Sequence, residues 1–255
     1  MESNADIVAR IHASKKYRNL CSAVIERAVA ETHPGNTDPV KAVKERLHQV
    51  YGAYINPSLH KKASRIIAAM GDDIRATALT LLALHVSTAE RLLSYESMYR
   101  SIFETTGPAR SVIDIAAGFN PFSMPLMPAQ PEHYLAVDID EAFTGMINTF
   151  FTNARLHGIA RTGDALSTPP HDEADVAFIF KFIPLINDAD AALRLLRALR
   201  VKYIAVSFPL KSIGGRSKGM FAHYSKMFYT MVENNFSVIK ELTMPNELLF
   251  IIIRK

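Results

Sequence analysis

The sequence predicts an α/β chain. A Rossmann-like, mostly parallel seven-stranded sheet, its last strand antiparallel, follows an N-terminal all-helical domain. Three observations predict this. Residues 1–105 carry apolar positions at helical spacing and no strand-like run. From Ser111 onward, short apolar runs alternate with helical stretches. The last two runs are joined only by Thr243-Met-Pro-Asn246, too short for a parallel crossover, so one strand must be reversed.

The elements follow in order. Ile7, Val8 and Ile11 share a face after the polar Ser3-Asn4 start, and Val24, Ile25 and Val29 make a second face. A loop over 33–38 precedes Pro39, which opens a helix striped by Val40, Val43, Leu47 and Val50. Asn56-Pro57 opens another that runs to Gly71, with Ile66 and Ile67 inward and Lys61, Lys62 and Arg65 outward. Asp72 or Asp73 caps a run through Leu79, Leu82 and Leu84. Ser87-Thr-Ala-Glu90 has capping-box spacing and predicts a helix carrying Leu92, Leu93, Tyr95 and Met98 to about Phe103. Thr105-Thr-Gly-Pro108 is the boundary between a helical domain, 1–105, and an α/β domain, 106–255. Strands are predicted at 111–116, 133–138, 159–162, 175–181, 201–208, 236–242 and 247–254. Helices fall roughly at 121–127, 140–157, 187–200 and 219–233. The first of these is short and broken by Pro121, Pro125, Pro128 and Pro131.

Composition narrows the function. With 255 residues and 49% hydrophobic content there is enough chain for a large core. No run of eighteen apolar residues is present, so no membrane span is expected, and the polar N-terminus carries no apolar signal core. A cytoplasmic, monomeric protein is the expectation. Cys21 is the single cysteine, which excludes an internal disulfide and any multi-Cys metal site. His133, His157, His171 and His223 lack metal-ligand spacing, and His48 and His60 read as surface or structural, so no metal is expected. Residues 1–75 hold 12 Lys and Arg against 8 Asp and Glu, an excess equal to the whole chain's net charge of +4. A second basic stretch, Arg194 to Lys226, contains no acid. Two basic regions on an otherwise neutral chain suggest a polyanionic partner, with ordinary solvated faces as the plainer account.

The motif that organises the chain is Ser111-Val-Ile-Asp-Ile-Ala-Ala-Gly-Phe-Asn-Pro121. It reads as a buried strand with Asp114 inside it, a turn through Ala116 and Gly118, and a helix start. That arrangement holds a nucleotide-like ligand in an open sheet. A nicotinamide or flavin site would want a second and third glycine, and neither is present. Asp138 ends the next strand, where a ribose diol needs an acceptor. Asp164, followed by Ala165, ends the third and can accept from an adenine amino group. The ligand that fits is S-adenosylmethionine, and the reversed strand fits a class I S-adenosylmethionine-dependent methyltransferase. Phe180, Lys181 and Phe182 sit at the fourth strand's end, where substrate meets cofactor. Lys181 is either a snorkelling strand-end lysine or part of the pocket mouth. Phe180 and Phe182 either stack on adenine or a flipped base or fill the core. The loop Ser207 to Met220, glycine-rich and basic, lacks the Lys-Ser/Thr ending of a P-loop.

These residues carry a family resemblance nearly end to end. Ser14-Lys-Lys-Tyr17, Arg46-Leu-His48 with Gly52-Ala-Tyr54, His85-Val-Ser-Thr-Ala-Glu-Arg91, Asp114 to Pro121, Ile179 to Leu185, Val206-Ser-Phe-Pro209, Gly214 to Met220 and Asn246-Glu-Leu248 occur in order. The chain resembles the aminoglycoside-resistance 16S ribosomal RNA methyltransferases of the Arm type, the FmrO-like family. One departure is Ala117, where family members often have Cys.

The resemblance implies methylation of guanine-1405 at N7 in 16S rRNA of the 30S subunit, and resistance to aminoglycosides. It implies that His85, Ser87 and Arg91 reach the cofactor's methionine end, and that the helical domain docks on rRNA. Phosphate contacts would come from Lys15, Lys16, Arg18, Lys61, Lys62, Arg65, Lys211, Arg216 and Lys218. No catalytic base is expected, because guanine N7 already has a free lone pair, and placement would do the work. Methylation of adenine-1408 at N1, or of a small molecule, are the alternatives. A non-catalytic RNA-binding protein is disfavoured by the intact Gly118, Asp138 and Asp164.

Overall fold

The computed structural model describes residues 3–32, 38–52, 57–186, 188–211 and 219–255. The loop residues Gly214, Gly215, Arg216 and Lys218, the segment 53–56 and the Val50 side chain lie outside the described residues. Seven helices come first: α1 (Asn4–His12), α2 (Ser22–Ala30), α3 (Pro39–Tyr51), α4 (Pro57–Ala68), α5 (Ile74–Leu82), the single turn α6 (Val86–Ala89) and α7 (Tyr95–Thr106). Short polar side chains start three of them. Ser3, Asp38 and Asp73 accept from the backbone N–H groups of Asp6, Lys41 and Ala76, which no helical carbonyl reaches.

The sheet then forms from β1 (Ser111–Ile115), β2 (His133–Asp138), β3 (Gly158–Thr162), β4 (Glu173–Phe180), β5 (Arg200–Pro209), β6 (Phe236–Met244) and β7 (Glu247–Arg254). Helices α8 (Glu141–Asn153), α9 (Ala189–Ala198) and α10 (Met220–Val232) connect them. The strand order is β3-β2-β1-β4-β5-β7-β6, with β7 antiparallel to both its neighbours. The stretch after β1 is a 3-10 helix, Asn120–Leu126, with Pro125 inside it. Pro125 has no N–H for an α-helical ladder, which keeps this segment short and tight.

Alternation along the strands covers the sheet on both sides. Val112, Tyr134, Val176, Phe178 and Leu249 face one cluster, while Ile113, Leu135, Ala177, Ile179 and Phe250 face the other. Burial on both faces is why these strands read as apolar runs rather than alternating ones. The helical region does not pack as one body. Helices α1–α3 close on their own core, from Ile7 and Ile11 to Leu47 and Tyr51. Helices α4, α5 and α7 instead supply Ile67, Leu82, Tyr95, Tyr99 and Phe103 to the sheet's core. Backbone bonds stitch the two together: Cys21 N–H donates to Ile139 O (2.8 Å) and Glu141 N–H to Asn19 O (2.8 Å).

The expected capping box at Ser87–Glu90 does not form. The α6 turn has His85 at its cap with no side-chain bond, and the next helix begins only at Tyr95. Thr88 takes the structural role instead, donating to Leu82 O (2.6 Å). Leu93, expected on a helical face, is fully exposed. Among the described residues no helix is long and apolar enough to cross a membrane.

Chain direction makes the crevice. The chain winds outward from β1 through β2 to β3, then crosses back to β4 beside β1. The carboxyl ends of β1 and β4 therefore diverge into a topological switch point, where ligands bind in open α/β sheets. Phe178, central in β4, supports that point. It is fully buried against Tyr99 (5.8 Å between centroids) and Phe180 (5.0 Å). Phe178→Ala should destabilise the protein by about 3–5 kcal/mol in denaturant unfolding; a loss under about 1 kcal/mol would show that the site collapses without a cavity.

Candidate active site

A pocket opens at the switch point and gathers most of the residues singled out in the sequence. His85, Ser87, Arg91, Asp114, Ala116, Gly118, Asp138, Asp164, Ala165, Phe180, Lys181 and Phe182 all line it. Its floor is the turn after β1. Ala116 and Gly118 both have left-handed backbones, with φ of 52° and 48°. Glycine adopts this freely, whereas Ala116 is strained by about 1 kcal/mol. A Cβ at Gly118 would meet only Ala116 O, at 4.0 Å, so a ligand can lie directly on its backbone.

Gly118 N–H donates to Asp138 Oδ2 (2.9 Å), and Asp140 N–H donates to Asp138 Oδ1 (3.2 Å). Burial pushes the Asp138 carboxyl above its ordinary range against these two N–H groups. Each oxygen retains acceptor capacity. This suits a ribose diol, whose hydroxyls would further favour the ionised form.

Beneath the turn, Asp114 is buried in a polar network. Tyr134 Oη donates to Asp114 Oδ2 (2.6 Å), as does Asn120 Nδ2 (2.9 Å). Tyr99 Oη and Ser123 Oγ are 2.6 Å apart behind them. Burial outweighs these donors and pushes the Asp114 carboxyl up to about 7.

Arg91 and Lys181, which line the pocket, belong to a cluster of four charges. Arg91 grips Glu247 through Nε (2.6 Å) and Nη2 (2.7 Å), both side chains almost wholly buried. Burial alone would raise the Glu247 pKa, but Arg91 outweighs it and holds the carboxyl below its ordinary range. Lys181, with a left-handed φ of 56°, donates to Glu90 (2.7 Å) and lies 3.5 Å from Glu247. It therefore does not snorkel, and Glu90 serves as its counter-charge rather than as a helix cap. The Arg91 guanidinium also covers the Phe180 ring at 4.8 Å. His85 stacks on Phe119 (5.5 Å) and shares a hydrogen bond with Ser87 Oγ (2.8 Å). Burial, then Lys181 and Arg91, lower its pKa.

Asp164 lies in the pocket, where it also meets partners distant in sequence. Arg27, from α2, donates to Oδ2 through Nε (2.7 Å) and to Oδ1 through Nη2 (3.3 Å). Ser167 Oγ (2.7 Å) and Leu166 N–H (3.2 Å) fill the rest of the carboxylate. Both carboxylate oxygens thus have protein partners, and Asp164 lines the pocket between Gly163 and Ala165. The sequence reading also missed pocket residues: Tyr51, His60, Thr88, Asn120, Asp140 and Phe143. His60 is not a surface histidine. It packs edge-on against Phe143 (4.9 Å), with Nε2 4.0 Å from Asp140. The signal for Tyr51 was in the sequence, as an aromatic residue with a polar tip four positions beyond Leu47 on an apolar stripe.

The basic candidates lie elsewhere. Lys15, Lys16, Arg18, Lys61, Lys62, Arg65 and Lys211 are all exposed. Lys16 Nζ is 2.8 Å from His48 Nδ1.

A seven-stranded sheet with one reversed strand, a glycine turn and an acid at the second strand's end define a class I S-adenosylmethionine-dependent methyltransferase fold. The family model for "Ribosomal RNA methyltransferase (FmrO)" matches residues 13–252. The chain belongs to this family. It is 35% identical over 97% of its length to a 16S rRNA (guanine(1405)-N(7))-methyltransferase of Serratia marcescens, covering 97% of that protein. A Proteus mirabilis protein of the same name is 32% identical over 98% of this chain and 96% of its own. Among solved structures, an rRNA methylase from Escherichia coli superposes with a TM-score of 0.86 at 30% identity, over 99% of this chain and all of that one. The 16S rRNA methyltransferase RmtF, solved with S-adenosyl-L-homocysteine, gives 0.86 at 29% identity over the full length of both.

Two predictions follow from the wall and floor. Glu247→Gln leaves the Arg91 charge buried and unpaired, and should cost about 3–5 kcal/mol in unfolding free energy. A loss below 1 kcal/mol would mean that water reaches the pair. For Asp114 the folded-state pKa of about 7 lies above the ordinary 3.8. Its contribution to stability is therefore full below about pH 4 and lost as pH rises to about 7. Denaturation of wild type and Asp114→Asn across that window should show wild type losing ground steadily, and parallel curves would refute the raised pKa.

Proposed function

We propose that this chain transfers the methyl group of S-adenosylmethionine to N7 of guanine-1405 of 16S rRNA, acting on the 30S subunit as a cytoplasmic monomer. The carrying observation is the Gly118–Asp138 cradle at the switch point of a chain whose family modifies ribosomal RNA. When bound, the cofactor supplies an activated methyl and its own sulfonium leaving group. The residues supply position. Asp138 takes the ribose hydroxyls, and Gly118 admits the cofactor's close approach. His85 and Ser87 border the methionine end. Arg91 has committed Nε and Nη2 to Glu247, which leaves Nη1, 3.5 Å from Asn120 Oδ1, for a carboxylate.

No general base is needed. Guanine N7 attacks with its lone pair, the carbon–sulfur bond breaks, and no proton leaves. The rate gain comes from in-line placement. Phe180, Lys181 and Phe182 border the mouth where an extruded base would enter. Lys15, Lys16, Arg18, Lys61, Lys62, Arg65 and Lys211 would meet phosphates, with Arg216 and Lys218 from the basic loop. The added methyl places a fixed positive charge in the decoding site, which would repel cationic aminoglycosides and so confer resistance.

The test is methyl transfer from labelled cofactor to purified 30S subunits, with reductive strand cleavage and primer extension to locate the base. A stop at guanine-1405 is expected. Label at adenine-1408 or elsewhere would overturn the site, and label only on small molecules would overturn the substrate class. Asp138→Ala should lower S-adenosylhomocysteine affinity at least tenfold by calorimetry with an unchanged melting temperature, and wild-type affinity would remove Asp138 from the site. Replacing Lys61, Lys62 and Arg65 together should weaken 30S binding and flatten its salt dependence while sparing cofactor affinity. An unchanged salt slope would make that face ordinary solvated surface.

A further inference from the structure

The acid-free stretch from Arg194 to Lys226 is divided by the strand that runs through it. β5 crosses the sheet from end to end, so Lys211 follows its carboxyl end while Arg197, Arg200 and Lys202 stay at its amino end. Lys202 lies five residues before Ser207, which is level with Phe180 of the pocket, a separation of about 17 Å. The reversed strand adds to this far end. Ile253 of β7 stands opposite Tyr203 of β5, which brings Arg254 there as well.

The cations differ in what holds them. Arg254 donates to Arg197 O and Leu199 O, both at 3.0 Å, and so closes the end of α9. Arg194 lies 3.5 Å from Asp188 and Arg200 lies 4.0 Å from Glu173, but all four side chains are more than half exposed, where such pairs contribute little. Arg197 and Lys202 are exposed and have no carboxylate within 4 Å among the described residues. Lys202 rests only over the Tyr203 ring, at 5.0 Å. Arg200 and Lys202, two apart in a strand, share a face. It is the face that α9 covers, where Leu195 and Leu196 join the cluster of Ile204 and Val206. Arg194 and Arg197 are neighbours on that helix. Helix capping thus accounts for Arg254 but leaves four exposed cations gathered at one end of the sheet despite their mutual repulsion.

Guanidinium forks and an ammonium on one open surface match a phosphodiester backbone. A small anion would want a concave site with buried donors, and none of these four side chains is buried. We propose that this end of the sheet is a second RNA-docking surface, holding a backbone segment other than the one that carries the target base. The two segments are distinct because crevice and patch lie at opposite ends of β5. The proposal rests on the 30S reading above, since a large folded RNA can meet both ends of the chain at once.

The experiment measures binding of the full chain to purified 30S subunits between about 50 and 200 mM salt. The triple variant Arg197→Gln, Arg200→Gln, Lys202→Gln should bind about five- to thirtyfold more weakly, with the slope of log affinity against log salt reduced by about two to three. Its melting temperature and S-adenosylhomocysteine affinity should match wild type. Tethered cleavage separates contact from long-range attraction. An iron chelate attached through Arg197→Cys in a Cys21→Ser background should cleave 16S rRNA at nucleotides apart from the target base. An unchanged salt slope, or no cleavage above that of the unattached chelate, would overturn the proposal. Loss of binding to phosphatidylserine vesicles in the triple variant, with 30S binding unchanged, would assign the surface to a membrane and overturn it too. Failure of the wild-type chain to bind 30S subunits would instead overturn the 30S reading, and this surface with it.

Discussion

The buried pair of Arg91 and Glu247 is the constraint on which the site depends. Neither charge could be buried alone, because an unpaired ion in an apolar interior is prohibitively unfavourable. Their bidentate contact binds the segment between α6 and α7 to the first residue of β7. Lys181 joins them from the end of β4, and Glu90 balances it. Four charges from three separate parts of the chain thus neutralise one another along one wall. Because Arg91 also covers Phe180, the aromatic at the pocket mouth is held by the same wall. Ala116 and Lys181, both in strained left-handed conformations, stand on either side of the crevice at the ends of β1 and β4. Strain of this kind persists where the surroundings over-determine it. Here the charge wall and the packed sheet do so.

The helical half divides its labour. Helices α4, α5 and α7 are part of the sheet's own core, and removing them would uncover Phe178 of β4, which packs on Tyr99 of α7. Helices α1–α3 form a separate core, yet bring Arg27 and Tyr51 to the pocket edge. The exposed bases Lys15, Lys16 and Arg18 lie between α1 and α2 of this same module. Exposed basic side chains and residues of the pocket edge are therefore carried by helices that share one core.

Much of this was legible in the sequence, and the reasons are physical. The central strands are buried on both faces and bounded by Gly, Pro and Asn, so their ends were visible to within a few residues. The strand-end logic brought Gly118 and Asp138 to one pocket because a parallel sheet sends its carboxyl ends to one edge. Long-range partners were not legible. Nothing local to Asp164 announces Arg27, and nothing near Arg91 announces Glu247. The capping box at Ser87–Glu90 failed for the same reason: Lys181, distant in sequence, competed for the Glu90 carboxylate and won. His60 could be read only as surface or structural, because a helix's basic face does not show which neighbour covers it; Phe143 settles it as packed.

The reversed strand has a consequence for the order in which the protein matures. Parallel strands reach the crevice with their carboxyl ends, but β7 reaches it with its first residue, Glu247. That residue lies 156 positions after Arg91. During synthesis at about 5–20 residues per second, Arg91 has no counter-charge for on the order of ten to thirty seconds. The strands β1 to β5 can pair before then, but the charge wall cannot close. A nascent chain halted before Glu247 holds the Gly118–Asp138 cradle without the wall that faces it, so the methyl-donor site is a post-translational achievement of the whole sheet rather than a product of its first half.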